Sequence, residues 1–208
     1  MNTAEKEDSM TLSILEEIEK NEDVTQRHLA SNLGVALGLA NSYLKRCARK
    51  GFIKIQQAPA NRYLYYLTPK GFTEKSRLSA KYLSTSFDFY RKASKSFTSI
   101  YRESVGKDWR RLLLCGMSEL TEIAYIRAQE FDVELIGIWD PEVIVEKHLG
   151  LPVWNALDQV ASYDACLVTS LENPGEIFSE LLVKNEIERV FVPEILGITK
   201  PLQQPTSN

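Results

Sequence analysis

The sequence predicts an α+β unit of three helices and a two-stranded hairpin, then a long helix, then an α/β unit built on a parallel sheet. Three observations lead there. The hydrophobic period is helical from about residue 11 to residue 50 and turns β-like between Phe52 and Leu67. From Arg110 onward, apolar strand-like runs alternate with helical stretches. Charge divides at the same place: residues 24–82 carry eleven Lys/Arg and one acid, Glu74, whereas residues 106–208 carry eight Lys/Arg and seventeen Asp/Glu. A basic unit ahead of an acidic one implies two domains, the first facing a polyanion.

The first helix is expected over TLSILEEIEK, where Leu12, Ile14, Leu15 and Ile18 fall mainly on one stripe. Residues 1–9 ahead of it are polar and acidic and are expected to be disordered. Thr25 is an N-cap for a second helix carrying Leu29 and Leu33 at i, i+4, which Gly34 ends. A third helix runs from about Ala36 to Lys50 with Leu39, Tyr43, Leu44 and Cys47 toward a core, and Gly51 stops it as the residue after its C-cap. FIKIQQ and YLYYL are two β-rich runs around APANR, a hairpin whose loop carries Arg62. Three helices and a hairpin in this order make a winged helix-turn-helix, in which the third helix enters the major groove and the wing reaches backbone or minor groove.

After YLYYL the chain reads Thr68-Pro69. Thr68 is an N-cap and Pro69 sits at the first helical position, where its missing N–H costs nothing. The helix that starts there is expected to continue to about Ser104 with seven aromatics: Phe72, Tyr82, Phe87, Phe89, Tyr90, Phe97 and Tyr101. A hairpin cannot bury so many rings, so a dimer seam or the second domain must cover them.

In the second unit, RRLLLCG, VELIGIW, DACLVTS and part of ERVFVPEIL read as strands of a parallel sheet. SELTEIAYIRAQEF, ALDQVASY and ENPGEIFSELLVKN read as helices between them. The ends of the first two strands are expected to meet at one topological switch point. Gly116, Met117 and Ser118 at the first turn, Asp140 after the second strand, and Ser170 and Asn173 after the third are the candidate ligand-binding residues. Asp140 follows Gly116 by 24 positions, close to the roughly 20 expected of an acid that holds a ribose hydroxyl. Only one glycine stands where a dinucleotide loop needs three, and Glu119 and Glu122 put negative charge at the helix start. Both features argue against NAD or FAD.

Candidate DNA contacts are Arg27 on the second helix, Asn41, Ser42, Lys45, Arg46 and Arg49 on the third, and Arg62 at the wing. Leu37 and Leu39 depart from a polar reading face. Catalysis has no constellation to rest on: His28 and His148 fall in different units, and no nucleophile elbow or metal-ligand spacing occurs. His148 reads as an exposed helix-end residue. There is no run of ~18 apolar residues to span a membrane, and the start lacks the order of a signal peptide. With three scattered cysteines, this implies a cytoplasmic location. The tail TKPLQQPTSN reads as a loose end.

TQRHLASNLGV, LANSYLKRCARKGFIKI and YLTPKGFTEKSRLSAKYL resemble the MarR-type winged-helix regulators associated with exopolysaccharide biosynthesis clusters, over residues 11–95. That resemblance implies a regulator of double-stranded DNA, homodimeric through helices outside the reading head. VELIGIWD, GLPVW and DACLVTS, over residues 106–198, are similar to the small Rossmann-like domain preceding the acyltransferase repeats of bacterial sugar O-acyltransferases. That one implies a nucleotide or nucleotide-sugar effector, with no cofactor required, although MSEL replaces the usual glycine-rich turn. The expected domains are thus 1–69 for DNA binding, 70–105 for linkage and dimerisation, 106–198 for ligand sensing and 199–208 as tail. The alternative is a winged-helix protein-interaction module whose degenerate Rossmann domain binds a partner.

Overall fold

The structure, a computed structural model, describes residues 3–21, 24–59 and 62–198. It divides into two compact units, Met1–Phe87 and Asp88–Asn208. The expected loose tail, residues 199–208, lies outside the described residues.

The first unit is a winged helix-turn-helix. Helices α1 (Thr3–Lys20), α2 (Gln26–Asn32) and α3 (Leu37–Arg49) precede an antiparallel hairpin, β1 (Ile53–Ala58) and β2 (Arg62–Leu67). Its core gathers Ile14, Leu15 and Ile18 of α1, Leu29 of α2, Leu44 and Cys47 of α3, and Phe52, Ile53 and Tyr65 of the hairpin. Burial pushes the Cys47 thiol up to about 11. Thr25 caps α2 as its sequence suggests, accepting from the His28 N–H at 3.1 Å. Alternation places Tyr65 inward, where its hydroxyl accepts from Gln26 Nε2 at 3.0 Å, and leaves Tyr63 48% exposed.

Disorder over residues 1–9 is corrected from Thr3 onward, because α1 begins there. The cause is long-range: Glu7 pairs with Arg46 at 2.9 Å and Asp8 with Lys81 at 2.7 Å, so the acidic start is matched by the basic unit it belongs to.

Helix α4 (Pro69–Gly106) follows directly. Thr68 caps it by accepting from the Gly71 N–H at 3.0 Å, and the same hydroxyl lies 2.7 Å from the Gly51 carbonyl and 3.1 Å from that of Phe52. Gly71 faces the Phe52 carbonyl so closely that a Cβ would fall 2.0 Å from its oxygen. In the first unit α4 leaves Phe72, Tyr82, Leu83 and Phe87 exposed. From Asp88 onward α4 belongs to the second unit, where Ala93, Phe97, Ile100 and Tyr101 are core residues.

The second unit is an α/β sandwich. Its strands are β3 (Arg111–Cys115), β4 (Glu134–Trp139), β5 (Lys147–His148), β6 (Leu151–Trp154), β7 (Ala165–Val168) and β8 (Val190–Phe191), in the order β5-β6-β4-β3-β7-β8. All neighbours are parallel except β5 on β6. Alternation along β3 sends Leu112 and Leu114 toward α4 and α5 (Glu119–Ala128), and Leu113 and Cys115 toward α6 (Pro174–Lys184). Order reverses at β3, whose neighbours are β4 on one side and β7 on the other. The switch point therefore lies between β3 and β7, not between the first two strands.

The structure adds one strand pair that the sequence did not predict and corrects two expectations beside it. GLPVW forms β6, reached from β5 through a tight turn in which Leu149 (φ 53) and Gly150 (φ +78) are both left-handed. That pair is the requirement of a two-residue hairpin. The helix expected over ALDQVASY reduces to one 3-10 turn, Leu157–Gln159. His148 is a β5 residue, not a helix end.

Gly71→Ala is expected to destabilise the first unit by about 1–3 kcal/mol through overpacking against the Phe52 carbonyl. Thermal unfolding of the full chain measures it, and an unchanged midpoint would show that this junction yields freely.

Candidate nucleic-acid interface and effector cavity

Helix α3 presents Ser42, Lys45 and Arg49 outward at i, i+3 and i+7, all exposed and on one stripe opposite the buried Ala40, Leu44 and Cys47. Arg46 lies to one side of that stripe. It pairs with Glu7, whose carboxylate keeps the guanidinium above its ordinary range, and its centre lies 5.9 Å from the Tyr43 ring. Asn41 is half-buried, and its Oδ1 is buried without a hydrogen-bond partner. An adenine contact through that acceptor would need the amide to turn. Arg27 is exposed in the first turn of α2, and Arg62 opens β2 opposite Ala58, in the strand and not in the loop. Exposed Lys50 and Lys54 join this surface. Lys54 could have been found by counting alternate positions along FIKIQQ.

The candidate DNA contacts thus differ in their free state. Ser42, Lys45 and Arg49 share one accessible stripe, Arg46 is engaged within the unit, and Asn41 faces partly inward. Leu37 and Leu39, 43% and 47% exposed, complete the start of α3.

In the second unit, the carboxyl ends of β3, β4 and β7 open into a cavity of about 570 Å³. Met117, Ser118, Asp140, Ser170 and Asn173 all line it. Gly116 does not. It stands behind the wall at φ +97, where a Cβ would fall 2.4 Å from Ser170 Cβ, so its missing side chain serves strand packing rather than a ligand. Its carbonyl accepts from Thr121 Oγ1 at 2.7 Å and Thr169 Oγ1 at 2.6 Å.

The polar groups of the wall are largely spent on one another. Asp140 Oδ2 accepts from the Met117 N–H at 2.7 Å and Oδ1 from the Glu142 N–H at 3.0 Å. Ser118 caps α5, its Oγ accepting from the Leu120 N–H at 3.1 Å and donating to the Thr169 carbonyl. Thr121 closes the capping box through the Ser118 N–H at 3.0 Å. Ser170 Oγ accepts from the Asn173 N–H at 3.2 Å. Asp140 is therefore a clamp between the first turn and the loop after β4.

The rim was not legible as a whole. Besides Asp140 the lining holds Glu119, Glu122, Glu142, Glu172, Glu176 and Glu180, and among the described residues it holds no lysine or arginine. Glu119 and Glu122 stand in the first turn of α5 and Glu176 in that of α6, where acids complement the helix dipole. Each was readable singly; their convergence depends on the strand order. His148 reaches the same lining from β5.

Comparison with known proteins bears on the first unit. Residues 7–54 match the family model described as winged helix-turn-helix DNA-binding. No curated protein matches the chain in sequence. Among solved structures, a MarR family transcription regulator is similar at 20% identity and a TM-score of 0.37, over 58% of this chain and 66% of that one. PigF with SAH is similar at 12% identity and a TM-score of 0.25, over 91% of this chain and 56% of that one. The chain thus spans less than two thirds of either. Likenesses at these scores fix neither fold nor function. No helix among the described residues is long and apolar enough to cross a membrane.

Asp140→Ala leaves two backbone N–H groups without their acceptor. It is expected to lower the stability of the full chain by about 1–3 kcal/mol in the absence of any ligand. Chemical denaturation measures this; a wild-type midpoint would show that the clamp carries no stability.

Proposed function

We propose that the chain is a homodimeric, DNA-binding transcriptional regulator whose α/β unit binds a small-molecule effector. The observation that carries the DNA reading is the accessible stripe Ser42, Lys45 and Arg49 on the third helix of a winged helix-turn-helix, inside a segment with one acid among its titratable residues from 24 to 82. Lysine and arginine there meet phosphate or guanine, and the surrounding charge supplies the sequence-independent part of affinity. The family match over residues 7–54 supports the same reading. Genes of polysaccharide biosynthesis are the target class suggested by the MarR-type resemblance.

Dimerisation is assigned to α4. Phe72, Tyr82, Leu83 and Phe87 are 47%, 62%, 53% and 57% exposed. A helix turning 100° per residue places all four within an arc of about 140°. An apolar stripe of that width is what a partner helix covers.

The effector is proposed to enter the cavity at the ends of β3, β4 and β7. A nucleotide or nucleotide sugar would set its phosphates against Glu119, Glu122, Glu172 and Glu176 with no lining lysine or arginine among the described residues. Like charges so placed repel. A phosphate-free nucleoside or sugar fits this rim better than the nucleotide class suggested by sequence. Helix α4, common to both units, is the proposed route of coupling.

Three outcomes are expected. Lys45→Gln with Arg49→Gln should weaken retention of all duplexes alike and lower the slope of log affinity against log salt by about 0.9 for each phosphate no longer neutralised; an unchanged slope contradicts the groove assignment. Tyr82→Lys with Phe87→Lys should give monomers in sedimentation equilibrium, and an intact dimer contradicts the α4 seam. In a thermal-shift panel of nucleosides, sugars, nucleotides and nucleotide sugars on the full chain, a ligand at 100-fold its Kd should add about 2.7 kcal/mol. A hit confined to phosphate-bearing compounds would contradict the rim argument.

A further inference from the structure

We infer that α3 reads thymine by its methyl group, with Leu37 and Leu39 as the contacting side chains. This rests on the DNA-binding reading above and specifies what that surface recognises.

A recognition helix meets base edges chiefly with its N-terminal residues. In α3 those residues are Leu37, Gly38, Leu39, Ala40, Asn41 and Ser42. Ala40 is buried in the unit, and Asn41 Oδ1 is buried. Ser42 leaves one exposed hydroxyl. The long charged side chains begin only at Lys45, and Arg46 beside it is held by Glu7 at 2.9 Å. The first turn and a half therefore offers little hydrogen bonding to a base pair.

It offers two leucines instead. Leu37 is 43% and Leu39 47% exposed, and neither belongs to the core cluster of the first unit. Gly38 between them has open space where a Cβ would stand, so no bulk separates the backbone from the groove. Among major-groove edges, the apolar feature is the C5-methyl of thymine. Exposed leucine is without use against phosphate, and it is matched by a methyl that also gains by leaving water.

Charge decides between DNA and an apolar protein partner as the occupant. Lys45, Arg49 and Lys50 are exposed further along the same helix, about 9–20 Å from the leucines along its axis, and Lys54 is exposed on β1, and such a setting complements a polyanion. The specificity that follows is for T-containing steps near the centre of each half-site, with phosphate contacts from Lys45 and Arg49 fixing register.

The test uses the full chain and fluorescence anisotropy at about 50 mM salt, where phosphate contacts bind strongly. The probes are duplexes of alternating A·T, the same with deoxyuridine for thymidine, alternating G·C, and the same with 5-methylcytosine. The first pair removes the methyl and the second adds one at the same place in the groove. Loss of the methyl should weaken binding, and its addition should strengthen it, by about fourfold for each methyl that a leucine covers. In Leu37→Asn with Leu39→Asn, whose fold is checked by circular dichroism, both ratios should fall to near one while binding persists. Ratios near one in the wild type overturn the inference and leave DNA binding standing. Ratios that survive the double variant overturn it as well, because the methyl is then read elsewhere. Failure to retain any duplex overturns the DNA reading itself and makes the leucines a protein-docking surface.

Discussion

The turn at Thr68 ties the hairpin and the end of α3 to the start of α4. The Thr68 hydroxyl lies 2.7 Å from the Gly51 carbonyl and 3.1 Å from that of Phe52, and it accepts from the Gly71 N–H. The Thr68 N–H donates to the Phe52 carbonyl at 3.0 Å, and Lys70 Nζ to the Lys50 carbonyl at 2.8 Å. The carbonyls of Lys50, Gly51 and Phe52, just past the end of α3, are thereby satisfied from Thr68 and the first turn of α4, while the last carbonyls of α3 itself, at Arg46, Cys47 and Ala48, accept from the N–H groups of Lys50, Phe52 and Gly51. Only glycine fits at 71, since a Cβ would fall 2.0 Å from the Phe52 oxygen. A rotation of α4 about its axis thus bears directly on the carboxyl end of the recognition helix. The Thr-Pro-Lys-Gly run after the wing is the chemistry of that joint.

The second unit applies the same economy at its strand ends. Asp140, Ser118 and Ser170 occupy positions where a nucleotide fold keeps its ligand contacts, and here they satisfy backbone N–H groups. The network fixes the loops that follow β3, β4 and β7, while the strands themselves stay paired to their carboxyl ends. What remains to address a ligand is mostly the acidic rim. A site that departs from a dinucleotide fold in its glycine loop departs from it in its charge as well, and the two changes agree: neither suits a pyrophosphate.

Local chemistry made much of this legible. Thr25, Gly51 and Thr68-Pro69 each mark a boundary by a mechanism that needs no distant partner. The buried strands read as apolar runs for the same reason. Long-range effects account for the misses. The acidic start joins α1 because Arg46 and Lys81 lie across from Glu7 and Asp8, which sequence order hides. β5 and β6 were missed because a leucine stands in one of the two left-handed turn positions, where Asn or Gly would have signalled a hairpin. The acidic rim draws residues from three separate stretches, and only the strand order shows that they face one space.

Selection from a random duplex pool by the full chain tests the proposed two-fold reading of duplex DNA most directly. It should enrich a pair of symmetry-related, thymine-bearing half-sites with centres about one helical turn, 10–10.5 bp, or a multiple apart. A pool that emerges no different from its input, with the protein folded and the salt low, would contradict the assignment of α3 and the wing to DNA.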